Sequence, residues 1–218
     1  MLAWFIDLIL HLDRHLVGLL ADYGIWIYAI LFLVVFAETG FVVTPFLPGD
    51  SLLFGVGALA AVDTSGNLSA PLAAALLTAA AILGNTTNYY IGRAIGPRAF
   101  SGRYRFLKVE YLRQTEAFFA RYGGLAVVLS RFVPIVRTFA PFVAGVGRMH
   151  AARFQAYNVS GALLWVLLFV FGGYLFGNIP LIKNNFGIVT ILIIVVSVLP
   201  VVFALLKSRR DTPQAPHK

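Results

Sequence analysis

Three segments of this chain, residues 72–96, 154–177 and 187–206, are apolar for 20 residues or more. A helix needs about 20 such residues to cross a hydrocarbon core of roughly 30 Å, and no other feature constrains the fold as strongly. A fourth apolar run begins at Gly24 and continues to Ala37, where it meets Glu38, so a membrane helix is expected over 24–38. With 60% hydrophobic and 12% charged residues, the chain lies far from the composition of a soluble domain and reads as an all-α integral membrane protein. Residues 1–20 are different: Asp7, His11, Asp13, Arg14 and His15 interrupt the apolar pattern. No small-residue cleavage pattern follows a basic start, so this segment reads as an interfacial amphipathic helix rather than a signal peptide.

Two more apolar stretches, 39–60 and 125–147, are long enough to cross but carry prolines in mid-segment, Pro45 and Pro48 in one and Pro134 and Pro141 in the other. A mid-helix proline removes a hydrogen bond and clashes with the preceding turn, so both segments are expected to kink or fold back. Charge in the flanking links decides between crossing and returning. The loop 97–124 carries Arg98, Arg103, Arg105, Lys108, Arg113 and Arg121 against Glu110 and Glu116, and the tail 207–218 carries Lys207, Arg209, Arg210 and Lys218. Both are cytoplasmic by the positive-inside rule, as is the link 148–153 with Arg148 and Arg153. The links 61–71 and 178–186 hold one charge each, Asp63 and Lys183, and read as outside. Segment 125–147 then begins and ends on the cytoplasmic side, as a re-entrant hairpin. With a cytoplasmic N-terminus, 24–38 exits near Glu38 and 39–60 dips back in from outside.

The expected architecture is one membrane domain, 1–218, with about four transmembrane helices and two opposed re-entrant helical hairpins in inverted arrangement. Discontinuous segments paired in this way build midplane sites in secondary transporters. TPFLPG at 44–49 and APFVAG at 140–145 share a pattern, which an internal duplication or chance would each produce.

Glu38, Asp50, Arg131 and Arg137 fall in or beside the broken segments. Left unpaired in lipid, the four would together cost on the order of 10 kcal/mol, so they must face protein, water or each other. Residues six apart lie about 240° around a helix, so Arg131 and Arg137 share no face unless Pro134 breaks the helix between them. Guanidinium groups suit bidentate capture of phosphate or carboxylate, and half-helix N-termini add donors for an anion. The pattern therefore describes an anion site inside the membrane. Asp50, after Pro48-Gly49, has three readings: an N-cap for the second half of the hairpin, an ion-pair partner of the arginines, or, with Glu38, a carboxylate that takes up and releases a proton. Asn85, Thr86, Thr87 and Asn88 inside one span, and Asn158 and Trp165 inside another, either hydrogen-bond between helices or line a substrate path.

Other signals point to no further chemistry. His11 and His15 stand four apart but suit the polar face of an interfacial helix, so no metal site and no cofactor are expected. The Gly92/Gly96 and Gly173/Gly177 spacings suit close helix packing. The chain has no cysteine, which excludes disulfides and thiolate sites. Its excess of 17 Lys and Arg over 9 Asp and Glu lies in loops, as expected for membrane topology rather than nucleic-acid binding. No nucleotide-binding or hydrolase motif is present.

FAETG at 36–40, PFLPGDSLLF at 45–54, GNTTNYYIGRAIG at 84–96, RFVPIVRTFAPFVAG at 131–145 and NVSGALLW at 158–165 together resemble the DedA family of bacterial inner-membrane proteins, whose wider superfamily includes eukaryotic lipid scramblases. The resemblance covers most of the chain. The family pattern has an acid before and within the first hairpin, here Glu38 and Asp50, and two arginines in the second, here Arg131 and Arg137. It implies opposed re-entrant hairpins, a place in the inner membrane and a role in moving lipids, with undecaprenyl phosphate the carrier lipid proposed for some members. Other members are linked to proton-dependent tolerance of alkaline pH, drugs or membrane stress.

The expected function is therefore a flippase that returns undecaprenyl phosphate to the inner leaflet, its phosphate held by Arg131 and Arg137, with Glu38 and Asp50 gating or proton-coupling the cycle and Asn85, Asn88 and Asn158 lining the path. A proton-coupled antiporter and a scramblase without headgroup selection are the alternatives. A lipid phosphatase is not expected, because none of His11, His15, His150 and His217 has a nucleophile setting. Partners are the bilayer, a lipid phosphate and protons; the sequence is compatible with a homo-oligomer without specifying one.

Overall fold

The computed structural model describes residues 12–41, 49–96, 98, 109–177, 179 and 192. Eight α-helices are found among them: α1 Leu12–Tyr23, α2 Ile27–Gly40, α3 Gly49–Val62, α4 Ala70–Ile95, α5 Val109–Tyr122, α6 Ala126–Leu129, α7 Pro134–Val146 and α8 Ala151–Phe176. The expected span 187–206 except residue 192, the tail 207–218, residues 1–11 and the proline-bearing stretch 42–48 lie outside the described residues. Single 3-10 turns, Gly24–Trp26 and Gly123–Leu125, lead into α2 and α6. Each opens on a glycine at positive φ, 50° at Gly24 and 56° at Gly123, where a side chain would be strained.

Three apolar stretches, His15–Gly40, Ala70–Ile95 and Ala151–Phe176, have 26 residues each. At 1.5 Å per residue each reaches about 39 Å, more than the roughly 30 Å of a hydrocarbon core. The all-α membrane class follows from them. By contrast α3 and α7, of 14 and 13 residues, reach only about 20 Å.

Inter-helix contacts fix the directions. Long helices α4 and α8 are antiparallel, as the pairs Asn85 with Asn158 and Thr86 with Gln155 show. Helix α3 runs parallel to the second half of α8, from Asp50 at Trp165 to Ala58 at Gly177, and in their seam a Cβ at Gly57 would collide with the Val170 carbonyl and one at Gly173 with the Phe54 carbonyl. Likewise α7 runs parallel to the second half of α4, from Thr138 at Asn88 to Phe142 at Gly92, with Gly145 against the Tyr89 carbonyl. Such seams need glycine because backbone meets backbone. Since α4 and α8 oppose each other, α3 and α7 also point in opposite directions.

Both broken segments go to the middle of the bundle and back. Gly124 abuts the Tyr157 ring near the start of α8, Arg131 reaches Asn158, and α7 returns until Met149 receives the Tyr89 hydroxyl. From the other end, Tyr28 accepts the Ser69 amide at 2.7 Å near the start of α4, Gly40 packs on Gly84 midway along α4, and α3 returns to place Ala58 against Gly177. The stretch His15–Gly40 has the length to cross, but the partner of its last turn is the middle of α4. Helix α1, set off from α2 at Gly24, packs against α3 on that same side and buries Leu16. Apolar length alone does not record where a helix ends relative to its neighbours.

Within the expected loop 97–124, α5 is a further difference. It buries Leu112 against Phe139, Phe142, Val143 and Val146 of α7, with Phe119 packed beside them, and exposes Arg113, Glu116 and Arg121.

Candidate functional site

The second broken segment supplies both arginines by interrupting its helix where the sequence places proline. Ser130–Phe132 form a 3-10 turn, Val133 is extended at φ −124° and ψ 100°, and Pro134 opens α7. Proline is well suited to the first turn of a helix, where its missing N–H has no intrahelical partner to lose. The break turns the chain around between Arg131 and Arg137, so both guanidinium groups lie over the ring of Trp165, 5.7 and 5.2 Å from its centroid. They converge on Trp165, as the proline break allows, but have different partners.

Arg137 bridges both acids. Its Nη2 lies 2.5 Å from Glu38 Oε1 and its Nη1 lies 2.6 Å from Asp50 Oδ1. Asp50 Oδ1 also accepts the indole N–H of Trp165 at 2.8 Å. Asp50 is in the first described turn of α3, and Gly49 before it lies against the Glu38 carboxylate so closely that a Cβ would overlap both oxygens. Glycine here lets the last turn of α2 and the start of α3 share one cation. Glu38 Oε2 has no hydrogen-bond partner among the described residues.

Arg131 pairs with neither acid. It is 1% exposed, and its Nη2 donates to Asn158 Oδ1 at 2.9 Å, with longer contacts to the carbonyls of Asn158 and Ala81. Its Nε and Nη1 are buried with no hydrogen-bond partner among the described residues. A charge held this way in an apolar bundle is costly, and further donors aimed at nothing add to the cost. Formally the four charges cancel, with two cations and two anions in one buried cluster.

The three asparagines expected on the path all hydrogen-bond between helices. Asn85 donates to Asn158 at 3.1 Å, and Asn158 donates to Ile82 carbonyl at 3.1 Å, to Gln155 at 3.2 Å and to Thr86 at 3.3 Å. Asn88 clasps α2 and α7 through the Thr39 and Thr138 carbonyls, at 3.3 and 3.0 Å. Asn158 thus meets the charge cluster through Arg131. Sequence reasoning missed Gln155 in this network, Gly49 as the contact of Glu38, and the bond from Trp165 to Asp50; the last joins positions 115 apart and leaves no local signal. No group of three or more potential metal-binding side chains occurs among the described residues.

Two half-length helices start at one buried, formally neutral charge cluster between long antiparallel helices, and this defines a polytopic membrane protein with a polar centre. Its residues 47–175 match the VTT domain, and the chain belongs to that family, the DedA family of membrane proteins. It is 51% identical over 216 residues to Protein DedA of Escherichia coli K12, covering 99% of this chain and 98% of that protein. It is 38% identical over 155 residues to the Inner membrane protein YqjA of the same organism, covering 71% and 69%. An uncharacterized membrane protein of Mycobacterium tuberculosis H37Rv, Rv0364, is 36% identical over 189 residues, covering 85% and 82%. No solved structure matches the chain.

Proposed function

We propose that this chain carries undecaprenyl phosphate between the leaflets of the bacterial inner membrane, with proton movement through Glu38 and Asp50 coupled to the cycle. Arg131 carries this reading, because a fully buried guanidinium with two nitrogens unpartnered among the described residues is a half-built anion site. A phosphate bound there would also meet Arg137, 5.2 Å from the same indole ring. Bidentate guanidinium contacts and the N-termini of α3 and α7, both directed at the cluster, favour a phosphate headgroup. An arriving anion competes with Glu38 and Asp50 for Arg137. Protonation of a displaced carboxylate keeps the buried charge balanced, which is the physical basis for coupling headgroup and proton. The polyprenyl tail remains in lipid. No bond in the cargo is made or broken, and the cycle needs no second copy of the chain.

In this reading the arginine-rich end, with Arg113, Arg121, Arg148 and Arg153, faces the cytoplasm. The segment from Gly124 to Met149 then re-enters from the cytoplasm and α2 with α3 from outside, which sets α1 on the outer side. The sequence holds no cysteine, so single substitutions test this directly. In right-side-out cells an impermeant maleimide should label Asp22→Cys and spare Arg121→Cys.

A proton-coupled antiporter is the second reading, favoured by the way Glu38 and Asp50 together satisfy Arg137. Leaflet exchange of fluorescent undecaprenyl phosphate in proteoliposomes separates the two, with labelled phosphatidylethanolamine as control. Selective movement of the phosphate lipid, lost in folded Arg131→Ala and Arg137→Ala, supports the carrier. No movement of either lipid supports the antiporter, and equal movement of both a scramblase.

A further inference from the structure

At the arginine-rich end, α5, the end of α7 and the start of α8 enclose a cavity of about 700 Å³. Its volume is in the range of small-molecule sites, roughly 300–1,000 Å³. Phe119, Val143, Val146 and Met149 give it an apolar wall, and among the described residues the charged side chains that line it are Glu116 and Arg153. Both are exposed, and no ion pair within 4.0 Å joins either of them to another described residue. Opposite charges on one cavity that do not meet each other leave a cationic and an anionic subsite over an apolar floor. At 1.5 Å per residue, Arg153 is about 18 Å along α8 from Trp165, so this cavity is separate from the buried charge cluster.

We propose that the cavity binds a zwitterionic phospholipid whose headgroup carries a primary amine, with the phosphodiester on Arg153, the ammonium on Glu116 and the upper acyl carbons against Phe119, Val143, Val146 and Met149. The charges select this occupant. An anionic lipid would satisfy Arg153 and be repelled by Glu116, whereas a quaternary ammonium headgroup has no N–H to donate to the carboxylate. A free-standing basic surface that only fixes topology requires no acid in the lining. Residues 97–108, which precede α5 in the chain, are the competing occupant.

Native mass spectrometry of the purified full-length protein, titrated separately with phosphatidylethanolamine, phosphatidylcholine and phosphatidylglycerol, tests the assignment. Phosphatidylethanolamine should be retained about three- to fivefold better than either other lipid, the scale of a partly exposed ion pair. Glu116→Gln should abolish that preference and raise phosphatidylglycerol binding, and Arg153→Gln should weaken both. Arg113→Gln, which removes an equal charge from the outer face of α5, should change neither. Gly147→Phe places a ring at the cavity mouth at a φ of −74°, which any residue adopts, and should lower retention of all three lipids. Equal binding of the three lipids by the unaltered protein, or the same response to Arg113→Gln and Arg153→Gln, would overturn the proposal in favour of a diffuse basic belt. Retention unchanged by Gly147→Phe would overturn it in favour of a cavity filled by residues 97–108.

Discussion

The indole N–H of Trp165 donates to Asp50 Oδ1 at 2.8 Å while the face of the same ring lies 5.2 Å from the Arg137 guanidinium carbon. One fully buried side chain thus holds the anion and cation of a single ion pair, and Arg131 lies over it too, at 5.7 Å. Trp165→Phe keeps a ring for the arginines and removes only the donor. A hydrogen bond to a charged group contributes about 1.5–3 kcal/mol, so this variant should fold with a lowered melting temperature and lose about tenfold or more in transport rate. Trp165→Leu, which also removes the ring, should do worse in both measurements. Equal transport by the unaltered protein and Trp165→Phe would show that the indole N–H has no part in the cycle.

Arg137→Ala strands two carboxylates in the bundle. Breaking a buried pair by removing one partner costs about 3–5 kcal/mol, so the melting temperature in detergent should fall sharply. The triple variant Arg137→Met, Glu38→Gln, Asp50→Asn removes the charges together. It should recover most of the stability and none of the transport, which separates the cluster's structural role from its functional one.

Asn158 is the one side chain that hydrogen-bonds Arg131 among the described residues. Asn158→Leu should cost about 1–3 kcal/mol by leaving the guanidinium unsatisfied. Asn158→Asp places a permanent anion there instead. It should hold Arg131 in an internal ion pair and block phosphate-lipid binding while the fold survives, with binding read by thermal shift against added lipid.

Gly57 and Gly173 face each other's backbone neighbours across the contact between α3 and α8. Overpacking of a tight core costs about 1–3 kcal/mol, so Gly57→Ala and Gly173→Ala should each destabilise by that order. Gly18→Ala, with nothing within 4 Å of the added carbon, should be neutral or slightly stabilising in the same thermal assay.

Asp63 ties the turn between α3 and α4. Its Oδ1 accepts the Ser65 hydroxyl at 2.6 Å and the Ser65 amide at 2.9 Å, and its Oδ2 accepts the Leu68 amide at 2.8 Å. The Ser65 hydroxyl, followed by the Leu68 amide, holds the carboxyl below its ordinary value of 3.8. Because the folded value is the lower one, its contribution is complete above the ordinary value and is lost as pH falls through the lowered one. Protection of the Ser65 and Leu68 amides from exchange should therefore stay constant down to the ordinary carboxyl value of 3.8 and be lost only below it. Asp63→Asn should remove that transition.

Apolar length made the long helices legible. The expected 72–96 and 154–177 correspond to Ala70–Ile95 and Ala151–Phe176, and the proline-bearing stretch 125–147 breaks at Ser130–Val133, beside Pro134. What was not legible is non-local. Nothing near Glu38 says that it shares Arg137 with Asp50, and nothing near Trp165 says that its N–H is taken. The end of α2 against Gly84 was hidden for the same reason, since hydropathy measures length and not depth. Helix α5 was obscured differently: Leu112, Thr115 and Phe119 form a helical stripe diluted by Arg113, Glu116 and Arg121, so net charge outweighed periodicity.

The paired glycine seams have a mechanical consequence. Where α3 meets α8 and α7 meets α4, glycines bring backbone against backbone, a contact that small sliding shifts of packed helices can use. Because α3 and α7 leave the centre in opposite directions, each has its own track. Drawing α3 back along α8 would take Asp50 off Arg137 toward one end, and drawing α7 back along α4 would take Arg137 off both acids toward the other. In the proposed carrier cycle the same ion pair would be the common latch of two doors that open on opposite sides.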